Sequence, residues 1–181
     1  MRYWTKQHKS VYDTLMSSGR YTAKRDFVYK EVEDGADIML KAYDWLTANH
    51  PLRAIRPADA ECPIWLSVSH DTAMLPDKDR VIMEFEIDPA LVYGVNIAKW
   101  GCILNYGYIP KDEADKLRHR KLLSDYGTSD AKAMMTPFYP EIRREITESW
   151  QRLFDSGVSM GSDAYYGTTW ELKKEWIIKA E

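Results

Sequence analysis

Arg80-Val-Ile-Met-Glu-Phe-Glu-Ile-Asp-Pro89 is the stretch whose reading decides the fold. In an extended chain Val81, Met83, Phe85 and Ile87 fall on one side, and Ile82, Glu84 and Glu86 on the other. Alternation with a period of two marks a strand with one buried face. Asp88-Pro89 ends it, because proline has no N–H for the ladder and pushes its predecessor away from helix. The expectation is a central or near-central strand, with other strands and helices packed on its apolar face.

Working outward, 181 residues favour one domain, placed here at 1–181. A chain of this size buries about 70% of its unfolded surface, so its core needs no covalent staple. Seven Trp and twelve Tyr are a high aromatic content, suited first to a core and second to a binding surface. The net charge of −3 comes from mixed signs with no basic block, which argues against a dedicated non-specific nucleic-acid binder. No apolar run reaches membrane length and no leader pattern opens the chain, so the expectation is a soluble, cytoplasmic protein with no membrane partner. Cys62 and Cys102 are too few for a disulfide scaffold and lack zinc-ligand spacing, so no metal is expected.

Taken in order, Arg2–Gln7 reads as a first strand, with Tyr3 and Thr5 on one face and Trp4 on the other. Ser10 is the expected cap of a short helix carrying Val11 and Leu15, which Gly19 ends. Phe27, Tyr29 and Glu31 alternate weakly. Residues 34–49 form the clearest early helix, with Ala42, Trp45 and Leu46 on its apolar face and Pro51 beyond its end. Ile64–Ser69 reads as a second strand. Trp100, Ile103, Leu104 and Tyr108 have near-helical spacing, but Gly94, Gly101 and Gly107 interrupt it. Pro110 opens a charged helix to about Leu123. Pro140 opens a stronger one, where Ile142, Ile146, Trp150, Leu153 and Phe154 recur at intervals of three and four. Thr169–Leu172 and Trp176–Lys179 are the closing strand pieces. The pattern is α+β: small, mainly antiparallel sheets with packed helices.

Three stretches, taken as a set, resemble a known family. They are Tyr3-Trp-Thr-Lys-Gln7 with Val11-Tyr-Asp-Thr-Leu15 and Gly19; Pro63-Ile-Trp-Leu66 followed by Val81–Ile87; and Thr169-Trp-Glu-Leu-Lys-Lys-Glu-Trp-Ile177. In this order and spacing they resemble DUF3841, a family of small bacterial and phage proteins of unknown function. The resemblance covers nearly the whole chain and carries no activity with it.

The order of elements also resembles the ADP-ribosyltransferase layout: a short strand, a helix ending in glycine, a strand ending in Ser, the 81–87 strand, and a late strand with an acid. That resemblance implies NAD, bound as a substrate between two small sheets, and modification of a macromolecule. The chemistry needs a late acid to hold ribose hydroxyls or orient a nucleophile, polar groups to position NAD, and aromatic surface for nicotinamide. On this chain it implies Glu171 as the acid, with Ser67 and Thr5 as further catalytic candidates. Trp4, Gln7, Trp65 and Trp170 are its cofactor-binding candidates. Where the layout has an Arg or His inside the first strand, this chain has Trp4-Thr5.

Each candidate also has a structural reading. Glu171 lies in a charged Glu-Leu-Lys-Lys-Glu run that suits a solvated strand face. Ser67 suits a turn hydroxyl, Thr5 and Gln7 a solvent-facing edge, and Trp4, Trp65 and Trp170 a core. His70-Asp71 is a candidate acid/base pair, although neighbours on a strand end point apart. His8, His50 and His119 have no partner at ligand spacing. Arg118-His-Arg-Lys121 is a phosphate-contact candidate or one solvated side of a helix. The chain carries no Gly-rich phosphate loop, no G-x-S-x-G and no H-E-x-x-H. Two function classes stay open: an NAD-dependent transferase, and a non-catalytic module that binds a protein or a nucleic acid, as in phage–host conflict.

Overall fold

The fold is α+β, with small antiparallel sheets. The computed structural model describes residues 1–26, 36–70, 75 and 78–181, with side chains omitted for 36–38. The weak alternation at Phe27, Tyr29 and Glu31 lies outside the described residues, as does Asp71. The chain forms two compact units: residues 1–94 with 165–181, and residues 95–164. No change of composition or linker marks either boundary in the sequence.

In the first unit, β1 (Arg2–His8) and β8 (Ile177–Ala180) both pair antiparallel with β4 (Arg80–Glu86), which is therefore central. Met83 and Phe85 are fully buried and Ile87 nearly so, as the alternation predicts. Thr5 lies opposite Met83, and Trp4 opposite Glu84. The face carrying Tyr3, Met83 and Phe85 packs on Val11 and Leu15 of α1 (Lys9–Ser18). His8 caps that helix, where Ser10 was expected: its ring accepts from the Ser10 N–H at 3.2 Å. Gly19 ends it at φ 79°, a left-handed conformation open to glycine.

A second sheet joins β3 (Ile64–Leu66), β6 (Tyr165–Thr169) and β5 (Tyr93–Asn96) in the order β3-β6-β5. Two residues each from β2 (Arg20–Tyr21) and β7 (Leu172–Lys173) form a third pair. The helix α2 (Ala36–Asn49) buries Ala42 and Leu46, as its spacing predicts. Gly167 on β6 allows a close approach: a Cβ there would meet Val92 Cγ1 at 2.8 Å.

The second unit contains α3 (Ile97–Leu104), α4 (Glu113–Asp125), α5 (Asp130–Met135) and α6 (Pro140–Ser149), the last continued by a 3-10 turn over Trp150–Phe154. Asn96 caps α3 by accepting from the Lys99 N–H, which settles a stretch the glycines left ambiguous. Asp112, rather than Pro110, sets the start of α4. Pro140 sits at the start of α6, where its missing N–H has no helical partner to lose.

One buried histidine ties the first unit to pH. His50 is fully buried, and its Nδ1 accepts from the Leu52 N–H at 3.1 Å. Thr168 Oγ1 donates to the Tyr93 carbonyl, so His50 Nε2–H donates to Thr168 Oγ1, at 2.9 Å. The ring is thus neutral, and burial pushes its pKa down from 6.5 to about 4. A depressed histidine pKa means that the unfolded chain takes up the proton first as pH falls. The stabilisation is complete above 6.5 and is lost between 6.5 and about 4. We expect His50→Gln to be less stable than wild type at neutral pH. The difference should shrink by about 3 kcal/mol across that window in urea melts. A constant difference would show that His50 does not carry the dependence.

Candidate functional site

The predicted site residues all lie in the first unit, and strand geometry divides them. Thr5 is buried on the core face, where its hydroxyl donates to the Trp65 carbonyl at 2.9 Å. Gln7, on the same face, donates its side-chain amide to Thr5 Oγ1 at 2.8 Å. Ser67 is buried and pairs its backbone with Trp4, while its hydroxyl donates to the Ser69 carbonyl at 2.7 Å. Trp65 donates its indole N–H to the Tyr43 hydroxyl at 2.9 Å. Thr5, Gln7, Trp65 and Ser67 therefore meet where β1 adjoins β3.

Trp4 projects from the opposite face of β1, because consecutive strand residues alternate. With His70, Ile82, Glu84, Lys179 and Glu181 it lines a small cavity of about 90 Å³. His70 meets Trp4 edge-on, with ring centroids 6.1 Å apart.

Glu171 and Trp170 are engaged elsewhere. Arg20 Nε donates to Glu171 Oε2 at 2.5 Å and clamps Asp59 with both terminal nitrogens at 3.0 Å. Lys173 lies 3.6 Å from the other Glu171 oxygen. The carboxylate expected to hold ribose hydroxyls is thus the anchor of an Arg20 ion-pair network beside the β2–β7 pair. Trp170 is 3% exposed, packs its ring against His50 with centroids 4.7 Å apart, and donates to the Leu52 carbonyl. It has no open face for a nicotinamide. The cysteines read as structural: burial pushes both thiols up to about 11, away from the reactive thiolate.

A dense group of titratable side chains lies in the second unit, around His119. Its Nε2 is 2.7 Å from Asp130 Oδ1 and its Nδ1 is 3.0 Å from Glu145 Oε1. Carboxylates only accept, so both nitrogens donate and the ring is an imidazolium. Tyr108 stacks on it at 3.9 Å with the planes 9° apart, and its hydroxyl donates to Asp115. Arg118 reaches Asp115 at 3.0 Å and Glu145 at 2.6 Å, and Arg152 reaches Asp115 at 3.1 Å. Asp115, Asp130 and Glu145 thus face Arg118, Arg152 and the protonated ring, three charges against three.

Burial alone would lower the His119 pKa, but the two carboxylates outweigh it and hold it above its ordinary value. Burial opposes the ionised forms of Asp115 and Glu145 too, and their donors prevail. Asp115 falls to about 2, helped by the Lys111 N–H, Tyr108 and Arg118; Glu145 is lowered by Arg118 and His119. Among the described residues, no group of three or more His, Cys, Asp or Glu side chains is placed to hold a metal ion.

Glu145 has a second neighbourhood. With Leu122 of α4 and Tyr126 just past its end, Phe138 in the loop before α6, and Glu141 and Glu148 of α6 it lines an open groove of about 360 Å³. Phe138 is 77% exposed and Tyr126 60%. Large aromatics left in water at a concave surface are the signature of a recognition site.

With the geometry described, comparison places the chain. Residues 2–178 match the family described as Domain of unknown function (DUF3841). The chain belongs to the DUF3841 family. No curated protein and no solved structure matches it. Among the described residues of this DUF3841 member, no helix is long and apolar enough to cross a membrane.

Sequence reasoning missed the His119 network because its partners lie 11 and 26 residues away. The one local signal was Asp115 four residues before His119, which places both on one helix face. The basic run 118–121 is accordingly no uniform cationic face: His119 is buried, and Arg118 and Lys121 pair with carboxylates.

A raised histidine pKa gives a contribution complete below 6.5 and lost as pH rises through the folded value. His119→Gln should therefore destabilise the protein most at about pH 6, by up to about 3 kcal/mol. The difference from wild type should narrow towards alkaline pH, opposite to the acid trend of His50→Gln. Paired urea melts across this range check the sign, and a difference that widens with rising pH would refute the imidazolium assignment.

Proposed function

We propose that this DUF3841 protein is a non-catalytic binding module whose target is another protein, recognised by the groove of the 95–164 unit. One observation carries the reading: Phe138 and Tyr126 stand exposed beside a groove floored by the α6 helix. Such rings contribute large apolar contact at little entropic cost, and they are frequent anchors of protein interfaces. Glu141, Glu145 and Glu148 favour a protein over a nucleic acid, because carboxylates repel phosphate.

A nucleotide-binding, ADP-ribosyltransferase-like reading has one observation in its favour, the meeting of Thr5, Gln7, Trp65 and Ser67 at the β1–β3 junction. Against it, Glu171 is paired with Arg20 and Trp170 is core. Trp4 faces away from Thr5.

Two measurements separate these readings. A tagged wild-type chain should retain a partner protein that Phe138→Ser and Tyr126→Ser chains lose. Truncating such an anchor costs about 2 kcal/mol, roughly thirtyfold in affinity. Thr5→Val, Ser67→Ala and Glu171→Gln chains should keep that partner. A melting temperature raised by NAD, and no longer raised in Thr5→Val, would instead favour the nucleotide site. A ligand at about 100 times its Kd adds about 2.7 kcal/mol.

A further inference from the structure

The groove's charges are not equally engaged. Glu145 is held from inside the unit by Arg118 and His119. Arg144 pairs with Glu141 at 2.5 Å, while its Nε lies 3.9 Å from Glu148, beyond hydrogen-bond length. Glu148, with its side chain 71% exposed, is thus the lining carboxylate held least closely by a cation. Beside it, in the same groove, are the open rings of Tyr126 and Phe138. Counting Glu145 as neutralised from within, Glu141 and Glu148 face one cation, Arg144, and leave an excess negative charge.

A carboxylate next to aromatic faces suits a planar cation. A guanidinium can stack on a ring while donating two parallel hydrogen bonds to a carboxylate; an ammonium is a hydrated point charge and does neither as well. The seven steps from Glu141 to Glu148 span about 10 Å of helix, the length of about three extended residues. The groove's volume is at the small end for a ligand pocket. It suits one long side chain and its apolar neighbours.

We propose that the groove takes an arginine-bearing apolar segment of a partner protein, with the guanidinium on Glu148 and against the ring of Tyr126 or Phe138. This rests on the protein-binding reading above and specifies what that surface recognises. The arginine's methylenes and its flanking aliphatic residues lie along Leu122 and the rings, which removes apolar surface from water on both sides.

The test uses the purified full chain and labelled short peptides in fluorescence anisotropy. The parent peptide has one arginine between leucines, and matched peptides carry lysine, citrulline or glutamate in its place. The parent should bind, with lysine and citrulline weaker by about tenfold and glutamate undetected. Glu148→Gln and Phe138→Ala should each weaken the parent by about tenfold. Glu113→Gln, at an exposed carboxylate that pairs with Lys116, should leave it unchanged. Circular dichroism confirms that each variant is folded. Glu148→Arg should exchange the preference and admit the glutamate peptide. Equal binding of the arginine and citrulline peptides would overturn the proposal, as would indifference to Glu148→Gln or no binding up to about 1 mM. A homodimer that Phe138→Ala dissolves would overturn it too, by making a second copy the occupant. In the first three cases partner retention lost by Phe138→Ser would still support a protein-docking groove, so the two proposals fail separately.

Discussion

The first unit depends on a single constraint: β4 is paired on both edges and can bury its apolar side chains on one face only. Met83 and Phe85 claim that face. The antiparallel register with β1 then decides what each β1 residue can do, since Thr5 must share the face of Met83 and Trp4 that of Glu84. A shift of one residue would exchange the two faces and expose the core set, so the register is held by the whole apolar pattern. This is why Trp4 and Thr5, adjacent in sequence, do not contribute to one cleft. Thr5 is committed to the core, and its hydroxyl meets the Trp65 carbonyl because a buried donor left unpaired would cost about 1–3 kcal/mol.

The second unit meets the burial problem with charge. His119 is nearly inaccessible and has a carboxylate on each nitrogen. Removing ions from water is costly, and here the cost is offset only because every charge has a partner at hydrogen-bond distance. Removal of the imidazolium proton would turn a ring lone pair towards Asp130 or Glu145 and leave the carboxylates in excess. The network therefore fixes α4, α5 and α6 to one another through directed bonds, where apolar contacts alone would tolerate sliding. It also fixes Glu145, so the wall of the groove is set by the interior of the same unit.

These two solutions differ in how much the sequence reveals. The 81–87 alternation, the Gly19 stop and the Pro140 helix start are local patterns, and each is present in the structure as read. The β2–β7 pair is two residues long on each side, too short for any period to show. The candidate site residues were chosen by position along the chain, and position does not record direction. The pairing of Glu171 with Arg20 crosses 151 residues, and nothing local in either segment announces it. The run 118–121 reads as cationic because the acids that neutralise it lie outside the run, Asp115 and Asp125 on the same helix and Asp130 and Glu145 on others. The groove was foreseen only as a general surplus of aromatics, because exposure of Phe138 and Tyr126 follows from helix packing.

Perturbed ionisation usually directs attention to catalysis, since proton-transfer groups must be tuned away from their ordinary values. Here the two most deeply buried histidines are perturbed in opposite directions by the same requirement that buried polar groups be satisfied. His50 is held neutral by a hydroxyl and a backbone N–H, and His119 is held charged by two carboxylates. Each ring has both nitrogens committed, so neither offers a free site to a reacting proton. Among the described residues, the surface groups left unspent include two aromatic faces and the carboxylate of Glu148 beside them. Unspent apolar area and unspent acceptor capacity do no work in an isolated molecule. Both acquire a use when a segment with complementary charge and an apolar flank is laid against them, as the proposed binding role requires.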